Sequence, residues 1–352
     1  MSKIYVVCPG NTVTGGPELL HQFVSTLNNA GCEAHIIYSP FNFKFSIPSP
    51  YLKYNIKVAT YHSVYFTEDD CIILPEIFTG YARKFGCAKK YIWWLSVDNF
   101  FEKFPKGFNQ YVKGLIKRLL NHKDAEPAQI RLDKLNGYRH LVQSQYAAEF
   151  LLNYGYKSDM LTDFLNEEHL NKSVNILNKE NVICYNPKKG LEITKKIIES
   201  LPHYKFIPIE NMTAVQVARL LERSKVYIDF GNHPGKDRIP REAAMAHCIV
   251  ITGTRGSAKN QVDIPVPQKY KIKEASLDFI GQVESVLFDA IYSYEIAIKD
   301  FDEYRLKIMN EKFVFEKQTL DLFGPSSQCL SLNDKLRIAV QSNDCCDSRK
   351  FE

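Results

Sequence analysis

The sequence of 352 residues lacks several features that would assign it to a specialised class of protein. No uninterrupted apolar run approaches the roughly 20 residues needed to cross a bilayer. The start, MSKIYVVCPG, shows neither the apolar region nor the cleavage site of a signal peptide, and we therefore expect a cytoplasmic protein. None of the nine cysteines forms a CxxC pair, and several lie in apolar, strand-like runs. This pattern is typical of reduced, buried thiols and not of disulfides or a zinc site.

Two common phosphate-binding signatures are missing as well. No GxGxxG follows the first strand-like run, and no GK[ST] of a Walker loop is present. The second strand-like run ends in Tyr38-Ser39-Pro40, without the acidic residue that binds the ribose of a dinucleotide. An oxidoreductase of the Rossmann type is therefore disfavoured. The acidic run at 68–70 precedes a predicted strand instead of following one, so we interpret it as a solvated turn, and we predict no metal site and no metal cofactor.

The net charge is modest, +5 from 45 basic and 40 acidic residues, which argues against a dedicated nucleic-acid binder. The basic residues are nevertheless unevenly distributed. Within 101–123, several lysines and Arg118 are interleaved with aromatic and aliphatic residues, and a single acid is present. A basic helix with an apolar stripe suits an anionic membrane surface, which would make the protein peripheral on the cytoplasmic face of a membrane. An ordinary surface helix with a solvated lysine face explains the same segment equally well.

Two α/β halves of similar size follow each other along the chain. Strand-like runs alternate with helical patterns, which predicts mostly parallel sheets covered by helices on both faces. We expect a ligand to bind in the cleft between the halves, at the carboxyl ends of their strands. The predicted organisation is an N-terminal domain over 1–165, a linker over 166–180, a C-terminal domain over 181–305, a last helix over 306–324 that crosses back to the first domain, and a polar tail over 325–352.

The hydrophobic patterns place the individual elements within these halves. The predicted strands are 4–8, 34–38, 71–74, 91–95, 138–142, 182–185, 204–208, 226–230 and 248–252. The predicted helices are one that starts near Pro17, those at 76–85, 108–122, 146–154, 191–200, 213–223 and 239–246, and further helices within 275–320. Thr213 is the predicted N-cap of the helix that follows it.

Four clusters of small and charged residues lie at predicted strand-to-helix junctions, where helix N-termini offer backbone N–H groups to anions. The glycine pair in 14–18 lets the backbone approach a phosphate closely, although a tight turn explains it as well. The lysine pair in 186–190 suits a diphosphate, with solvated turn lysines as the alternative. The charged run 231–246 is the most specific because packing explains it poorly, with a structural ion-pair cluster as its alternative. The segment 253–258 offers a fourth anion-binding turn.

The segment 240–251, PREAAMAHCIVI, resembles the EAMA segment of GT-B glycosyltransferases. The resemblance is greatest to the large retaining group, families 4 and 1, which includes enzymes of polysaccharide and glycolipid synthesis. The glycine loop and the segments 141–145, 186–190 and 253–257 follow in that group's order, so the resemblance spans roughly 1–300. It implies a GT-B architecture of two Rossmann-like, parallel-sheet domains that face each other across a cleft. It also implies a transferase that moves a sugar from a nucleoside-diphosphate sugar to a glycan or lipid-linked acceptor, with retention of configuration.

The resemblance implies roles for individual residues. Gly15 and Gly16 would face the donor phosphates or the acceptor, and Glu242 would accept hydrogen bonds from the ribose hydroxyls. Lys189 would neutralise the diphosphate leaving group, with Lys188 or Asn186 assisting. The other donor-binding candidates would lie near the base, the ribose or the phosphates, and they are Asn211, Met212, Lys236, Arg238, Arg255, Gly256 and Ser257.

The sequence departs from the family pattern at two places. A glutamate that contacts the transferred sugar usually stands seven residues before the EAMA glutamate, and here that position is Gly235. We expect Asp237 or Lys236 to take over its role. The family often carries a His after a strand of the first domain, where this sequence offers Asp98. We expect Asp98 to be the polar group nearest the reacting carbon, although a capping Asp is the alternative.

The chemistry needs no metal ion under this interpretation. As the anomeric C–O bond breaks, negative charge develops on the departing diphosphate, and Lys, Arg and helix N–H groups stabilise that charge electrostatically. Because the family glutamate is missing at position 235, a non-catalytic protein that holds a nucleotide sugar or a partner enzyme is the alternative.

Overall fold

The computed structural model describes residues 2–102, 104, 127–170 and 174–325. Chain contacts divide the protein into two compact units. The first contains the described residues up to Trp93, the described part of Glu102–Leu141 and the described residues from Val314 onward. The second contains Trp94–Phe101 and Val142–Phe313.

A seven-stranded sheet begins the fold. Its strands are β1 Ile4–Pro9, β2 Ala34–Ser39, β3 Lys57–Val58, β4 Cys71–Pro75, β5 Lys89–Trp94, β6 Arg139–Val142 and β7 Ser158–Met160. They stand in the order β3-β2-β1-β4-β5-β6-β7. β1 pairs in parallel with both β2 and β4, so that Ile4 lies opposite Ala34 on one side and Cys71 on the other. Val6 and Val7 are fully buried, as expected of a central parallel strand that helices cover on both faces.

Three α-helices accompany these strands in the described part of the chain: α1 Gly15–Asn29, α2 Val97–Glu102 and α3 Gln145–Asn153. α1 starts directly after the loop that follows β1, with Thr14 as its extended N-cap. Pro17 suits the first turn because its missing N–H would have no partner there. Leu20, Phe23 and Leu27 recur at helical spacing and are buried, which anchors α1 to the sheet.

Residues Glu76–Phe85 form 3₁₀ turns instead of the predicted α-helix. Phe78 leaves the helical dihedrals, with φ −118° and ψ 19°. The chain at 127–130 lies against this segment: the carbonyl oxygens of Pro127 and Ala128 occupy the space beside Gly80, and the Ile130 N–H donates to Thr79 Oγ1 at 3.0 Å. These turns therefore depend on the packing of a segment distant in sequence, and the local sequence pattern does not predict that packing.

A four-stranded sheet forms the core of the second unit. Its strands are β8 Glu180–Tyr185, β9 Lys205–Pro208, β10 Ser224–Asp229 and β11 Ile249–Thr252. They stand in the order β11-β10-β8-β9, and all neighbouring pairs are parallel. The helices are α4 Glu167–Leu170, α5 Leu191–Ser200, α6 Ala214–Arg223, α7 Arg238–Met245, α8 Phe279–Tyr292, α9 Tyr294–Ala297 and α10 Asp302–Phe323. α10 contributes residues to both units, and Phe323 near its end packs edge-on against Phe23 and Tyr91 of the first unit.

The predicted strands are all present, with ends that differ by at most two residues. Two strands were not predicted: β3 is only two residues long and exposed, and β7 is a polar stretch of three residues. Thr213 is confirmed as an N-cap, because its hydroxyl accepts the Gln216 N–H at 3.3 Å while Gln216 accepts the Thr213 N–H at 2.8 Å. The predicted helix at 108–122 and the tail after 325 lie outside the described residues. None of the described helices combines the length and the apolar character that spanning a membrane requires.

Candidate functional site

The topology of the second unit defines one place for a ligand. The chain passes from β8 to β9 on one side, returns across β8 to β10, and continues outward to β11. Because parallel crossovers are right-handed, the connections after β8 and β10 leave toward opposite faces of the sheet. A crevice opens between them at the carboxyl ends of the strands, where ligands of open α/β sheets bind. The loops after β8 and β10 carry two of the clusters that the sequence singled out, 186–190 and 231–246.

Two glycines bring these loops into direct contact. Gly190 has the left-handed φ of +59°, and a Cβ there would lie 2.5 Å from the backbone of Phe230. A Cβ on Gly231 would lie 2.5 Å from Cβ of Lys189. Only glycine fits at either position, so Lys189 is held at close range to the loop that follows β10.

A chain of four charged side chains crosses this contact. The Lys189 ammonium donates to Asp237 Oδ1 at 2.7 Å, and the other oxygen of Asp237 lies 2.9 Å from Nδ1 of His233. Nε2 of His233 faces Asp229, at 3.7 Å from Oδ1 and 3.4 Å from the backbone oxygen. Cation and anion alternate along this chain, and the imidazole ring at its centre is completely buried.

Asp229 in turn is fixed by its own strand and loop. The Tyr227 hydroxyl donates to Oδ2 of Asp229 at 2.9 Å, and the Gly231 N–H donates to Oδ1 at 3.0 Å. Both of its oxygens therefore have a partner before the imidazole is counted. Asp229 is the rigid end of the chain of charges and Lys189, which is partly exposed, is its open end.

The electrostatics favour the charged forms of His233 and Asp237. Burial lowers the pKa of His233, but the hydrogen bond to Asp237 and the charges of Asp229 and Asp237 outweigh it, so that the pKa lies above the usual value of 6.5. Burial likewise raises the pKa of Asp237, and the adjacent His233 and Lys189 overcome this effect and lower it. An imidazolium and a carboxylate are thus the expected partners of Lys189.

In the described part of the chain, Asp229, His233 and Asp237 are the residues that come close enough together to share a metal ion, with one ligand atom of each within 4.8 Å of the others. The arrangement suits a protonated His233 better than a bound metal ion. The ring turns one nitrogen toward each carboxylate instead of offering one nitrogen to a common point, and Lys189 already neutralises Asp237. The absence of a metal cofactor stays a prediction.

The helix α7 carries the glutamate of the EAMA-like segment. Oε1 of Glu242 lies 3.6 Å from Nε2 of His169 and 3.7 Å from Nε of Arg238 one turn earlier. Its side chain is 13% exposed, so Glu242 is shielded but accessible. Asp237 is the N-cap residue of the same helix, where the positive end of the helix dipole favours its carboxylate.

The opposite side of α7 is anchored by a buried ion network. Arg241 binds Asp163 at 2.5 Å and Glu311 at 2.7 Å. Lys236 joins the same acids, at 2.7 Å from Glu311 and 3.4 Å from Asp163, and donates to the Thr162 hydroxyl at 2.9 Å. Lys236 was a candidate for donor binding, yet its side chain is only 7% exposed and its ammonium is fully engaged here. The network holds the segment that connects Lys236 to Arg241.

Gly235, which replaces the family glutamate, lies in a tight place. A Cβ there would be 2.7 Å from the backbone oxygen of Leu95, and the Val97 N–H donates to the Pro234 oxygen at 3.0 Å. No side chain fits at this position without movement of the backbone. The same contacts place the first turn of α2, which contains Asp98, beside the loop of Asp237. Ser96 caps that turn by accepting the Asn99 N–H at 3.2 Å.

The fourth cluster supports the loop from the other side. The left-handed Gly256, with φ +57°, lies against the His233 carbonyl, which accepts the Ser257 N–H at 2.8 Å. The Ser257 hydroxyl donates to the Gly235 carbonyl at 2.6 Å. Arg255 is 43% exposed and pairs with Glu274 at 3.1 Å. Gly256 and Ser257 therefore shape the loop, whereas Arg255 remains available at the surface.

The other candidates lie at loop positions. Asn186 accepts the backbone N–H of the exposed Lys188 at 3.1 Å and closes an Asx turn after β8. Asn211, with φ +54°, and Met212 lie between β9 and α6. Gly15 and Gly16 are the first residues of α1 in the first unit, after the loop that follows β1. In the seven-stranded sheet, the strand order reverses direction between β1 and β4, so this loop also lies at a switch point.

The structure thus brings Lys189 and Asp237 into contact and places the segment of Asp98 beside them, while the roles of these residues stay predictions. His233 and Asp229 were not singled out by the sequence analysis. Their only signal was position, since Asp229 is the last residue of β10 and His233 lies in the charged run that follows it. The segment between β10 and α7 is a loop and not a helix, so their convergence is visible only in three dimensions.

No protein-family model matches the sequence, and no curated protein matches it. Solved structures do match. A glycosyltransferase from Rickettsia africae is 15% identical with a TM-score of 0.61, over 91% of this chain and 97% of that one. A lipopolysaccharide outer core galactosyltransferase is 13% identical with a TM-score of 0.58, over 91% and 98%. Sucrose-phosphate synthase from Thermosynechococcus elongatus is 11% identical with a TM-score of 0.55, over 97% and 100%.

These similarities show the fold. The chain has the α/β architecture of GT-B glycosyltransferases, and the fold predicted from the resemblance is confirmed.

Proposed function

We propose that the protein is a glycosyltransferase that uses a nucleoside-diphosphate sugar as donor. The observation that carries the proposal is the position of Lys189. It lies at the switch point of the second sheet, next to the N-terminus of the helix that holds Glu242, in a chain with the GT-B fold. A cation and a helix N-terminus at this crevice are what a diphosphate requires.

The proposed mechanism follows from the charges. The diphosphate gains negative charge as the anomeric C–O bond breaks, and Lys189, together with the α7 N-terminus, stabilises that charge. Glu242 accepts hydrogen bonds from the donor ribose, and Asp98 lies on the side of the reacting carbon. Lys188, Asn186, Asn211 and Arg255 border the donor. We propose retention of configuration and no requirement for a metal ion.

We further propose a glycan or lipid-linked acceptor on the cytoplasmic face of a membrane. One structural neighbour is a lipopolysaccharide outer core galactosyltransferase, which supports this class of acceptor. The predicted membrane-binding segment 101–123 lies almost entirely outside the described residues, so this docking rests on the sequence alone.

A thermal-shift screen tests the donor. The protein is titrated with UDP, GDP, ADP, CMP and their common sugar conjugates, with and without EDTA. We expect one nucleoside diphosphate to stabilise the protein independently of EDTA. Lys189→Ala and Glu242→Gln should each abolish the shift, whereas Lys195→Ala and Glu199→Gln, exposed residues of α5, should preserve it. Unchanged shifts in Lys189→Ala would refute the assignment.

Turnover separates the enzyme from the non-catalytic alternative. We expect slow hydrolysis of the selected donor by the wild type and its loss in Asp98→Ala. Donor binding without any hydrolysis or transfer would favour the binding protein.

A further inference from the structure

Beyond the proposed function, and resting on it, we propose that His233 is a positioning residue whose protonated ring, through Asp237, keeps the charge of Lys189 available to the donor diphosphate. The residue touches neither the donor nor the reacting atoms. It acts through the carboxylate that it shares with the lysine.

The geometry supports this role because Asp237 is divided between two cations. Its Oδ1 accepts from Lys189 at 2.7 Å, and its Oδ2 lies 2.9 Å from Nδ1 of His233. With both partners charged, Asp237 interacts with two positive charges, so it neutralises Lys189 less completely than it would beside a neutral imidazole. The completely buried ring exchanges neither partner for water.

The surroundings of the second nitrogen also favour the protonated state. Nε2 faces both the side chain and the backbone oxygen of Asp229, and Nδ1 faces Asp237, so acceptors stand on both sides of the ring. A neutral imidazole carries one proton and leaves one nitrogen lone pair against an acceptor. The imidazolium, in contrast, presents positive charge to the acceptors on both sides.

In the described part of the chain, three charged groups act on His233. Asp229 comes from β10, Asp237 from the loop that also carries His233, and Lys189 from the loop after β8, while the loop after β11 contributes backbone contacts at Gly256 and Ser257. The two carboxylates outweigh Lys189 and favour the charged ring. Its contribution is therefore present at low pH and is lost as pH rises through the His233 pKa, which leaves Asp237 to neutralise Lys189 alone.

The expected consequence is a donor affinity that falls as pH rises. The probe is UDP-glucose, GDP-mannose or ADP-glucose, whichever the screen selects, because the diphosphate diester of a sugar nucleotide does not itself titrate in the neutral range. We expect the wild-type dissociation constant to increase about tenfold between the acidic and basic plateaus, the size of one charge-assisted hydrogen bond. His233→Gln, which cannot become charged, should bind with the weaker affinity at every pH.

The titration of His233 in the free protein provides a readout that needs no donor. Imidazole resonances are followed by NMR against pH, and His233 is assigned by the signal missing in His233→Gln. Its midpoint should lie above 6.5 and fall in Asp237→Asn. The exposed His203, paired with Glu284 in the same unit, is the matched control and should not respond to Asp237→Asn.

The outcomes distinguish failure of the positioning role of His233 from failure of the proposed glycosyltransferase function. The positioning role is overturned if the midpoint of the His233 titration is the same in the wild type and in Asp237→Asn. It is also overturned if the donor affinity of the wild type does not change with pH. The proposed function stands in both cases. A coupled His233 in a protein that binds no sugar nucleotide refutes the proposed function and establishes the His233–Asp237–Lys189 chain without its proposed ligand. Circular dichroism of His233→Gln and Asp237→Asn verifies that both variants are folded.

Discussion

Replacing Arg241 by Met tests the network that anchors the site helix. The guanidinium is 1% exposed and is bound to Asp163 and Glu311, which are 8% and 4% exposed. Its removal leaves two buried carboxylates for the single charge of Lys236. Breaking a buried ion pair by removing one partner costs 3–5 kcal/mol, and because Lys236 remains within 3.4 Å of both acids, we expect the lower end, about 3 kcal/mol of unfolding free energy.

The assay is urea unfolding at neutral and mildly acidic pH, with Arg223→Met as the control. Arg223 pairs with Glu180 at 3.7 Å in the same unit, but both side chains are nearly half exposed, so its loss should cost no more than about 1 kcal/mol. In the wild type, Arg241 and Lys236 overcome the effect of burial and lower the pKa of Asp163, which therefore contributes stability above its unfolded pKa and loses it as pH falls.

In Arg241→Met, the main cation is gone, and burial should then raise the pKa of Asp163. Acidification then neutralises an unpaired charge, so the stability gap to the wild type should narrow as pH falls from about 7 to about 5. Equal losses for Arg241→Met and Arg223→Met, or a gap that does not change with pH, would refute the reasoning.

Two further substitutions test the local geometry. Gly235→Ala places a Cβ 2.7 Å from the Leu95 carbonyl oxygen and should lower the free energy of unfolding by about 1–3 kcal/mol. Gly137→Ala, whose Cβ would have nothing within 4 Å, is the control and should be nearly neutral in the same thermal-melting experiment. Equal melting temperatures for the two variants would contradict the close contact at Gly235. Thr213→Ala removes a complete capping box and should lower the free energy of unfolding, measured with urea, by about 1 kcal/mol. Thr213→Ser keeps the capping hydroxyl and should retain most of the wild-type stability. An equal loss of stability in both variants would show that the cap contributes nothing.

The sequence predicted the sheet strands well because their signals are local. Apolar runs such as 182–185 and 248–252 are bounded by turn residues, and tertiary packing moved their ends by no more than two positions. The segment Glu76–Phe85 was less predictable, since its 3₁₀ geometry depends on carbonyl groups at 127–128, some 50 residues away. Propensity alone carries no information about such a neighbour.

Lys189 and Asp237 were named as candidate site residues from the sequence, whereas Asp229, His233 and the contacts among the four were not. Lys189 was chosen from its position after a strand and Asp237 from the family resemblance, yet their contact depends on the glycine pair Gly190 and Gly231, whose effect is visible only when two loops meet. The charged run 231–246 contains residues in different environments. Asp237 faces the crevice, whereas Arg241, four residues later, is buried among distant acids, and no spacing rule separates the two.

The ion network has a consequence for how the second unit folds while the chain is being synthesised. Asp163, Arg241 and Glu311 come from the beginning, the middle and the end of the second unit. A growing chain that ends before Glu311 carries two cations, on Lys236 and Arg241, against one buried acid. The second unit therefore reaches charge balance only after α10 has been synthesised, and until then the helix that carries Glu242 lacks half of its anchor.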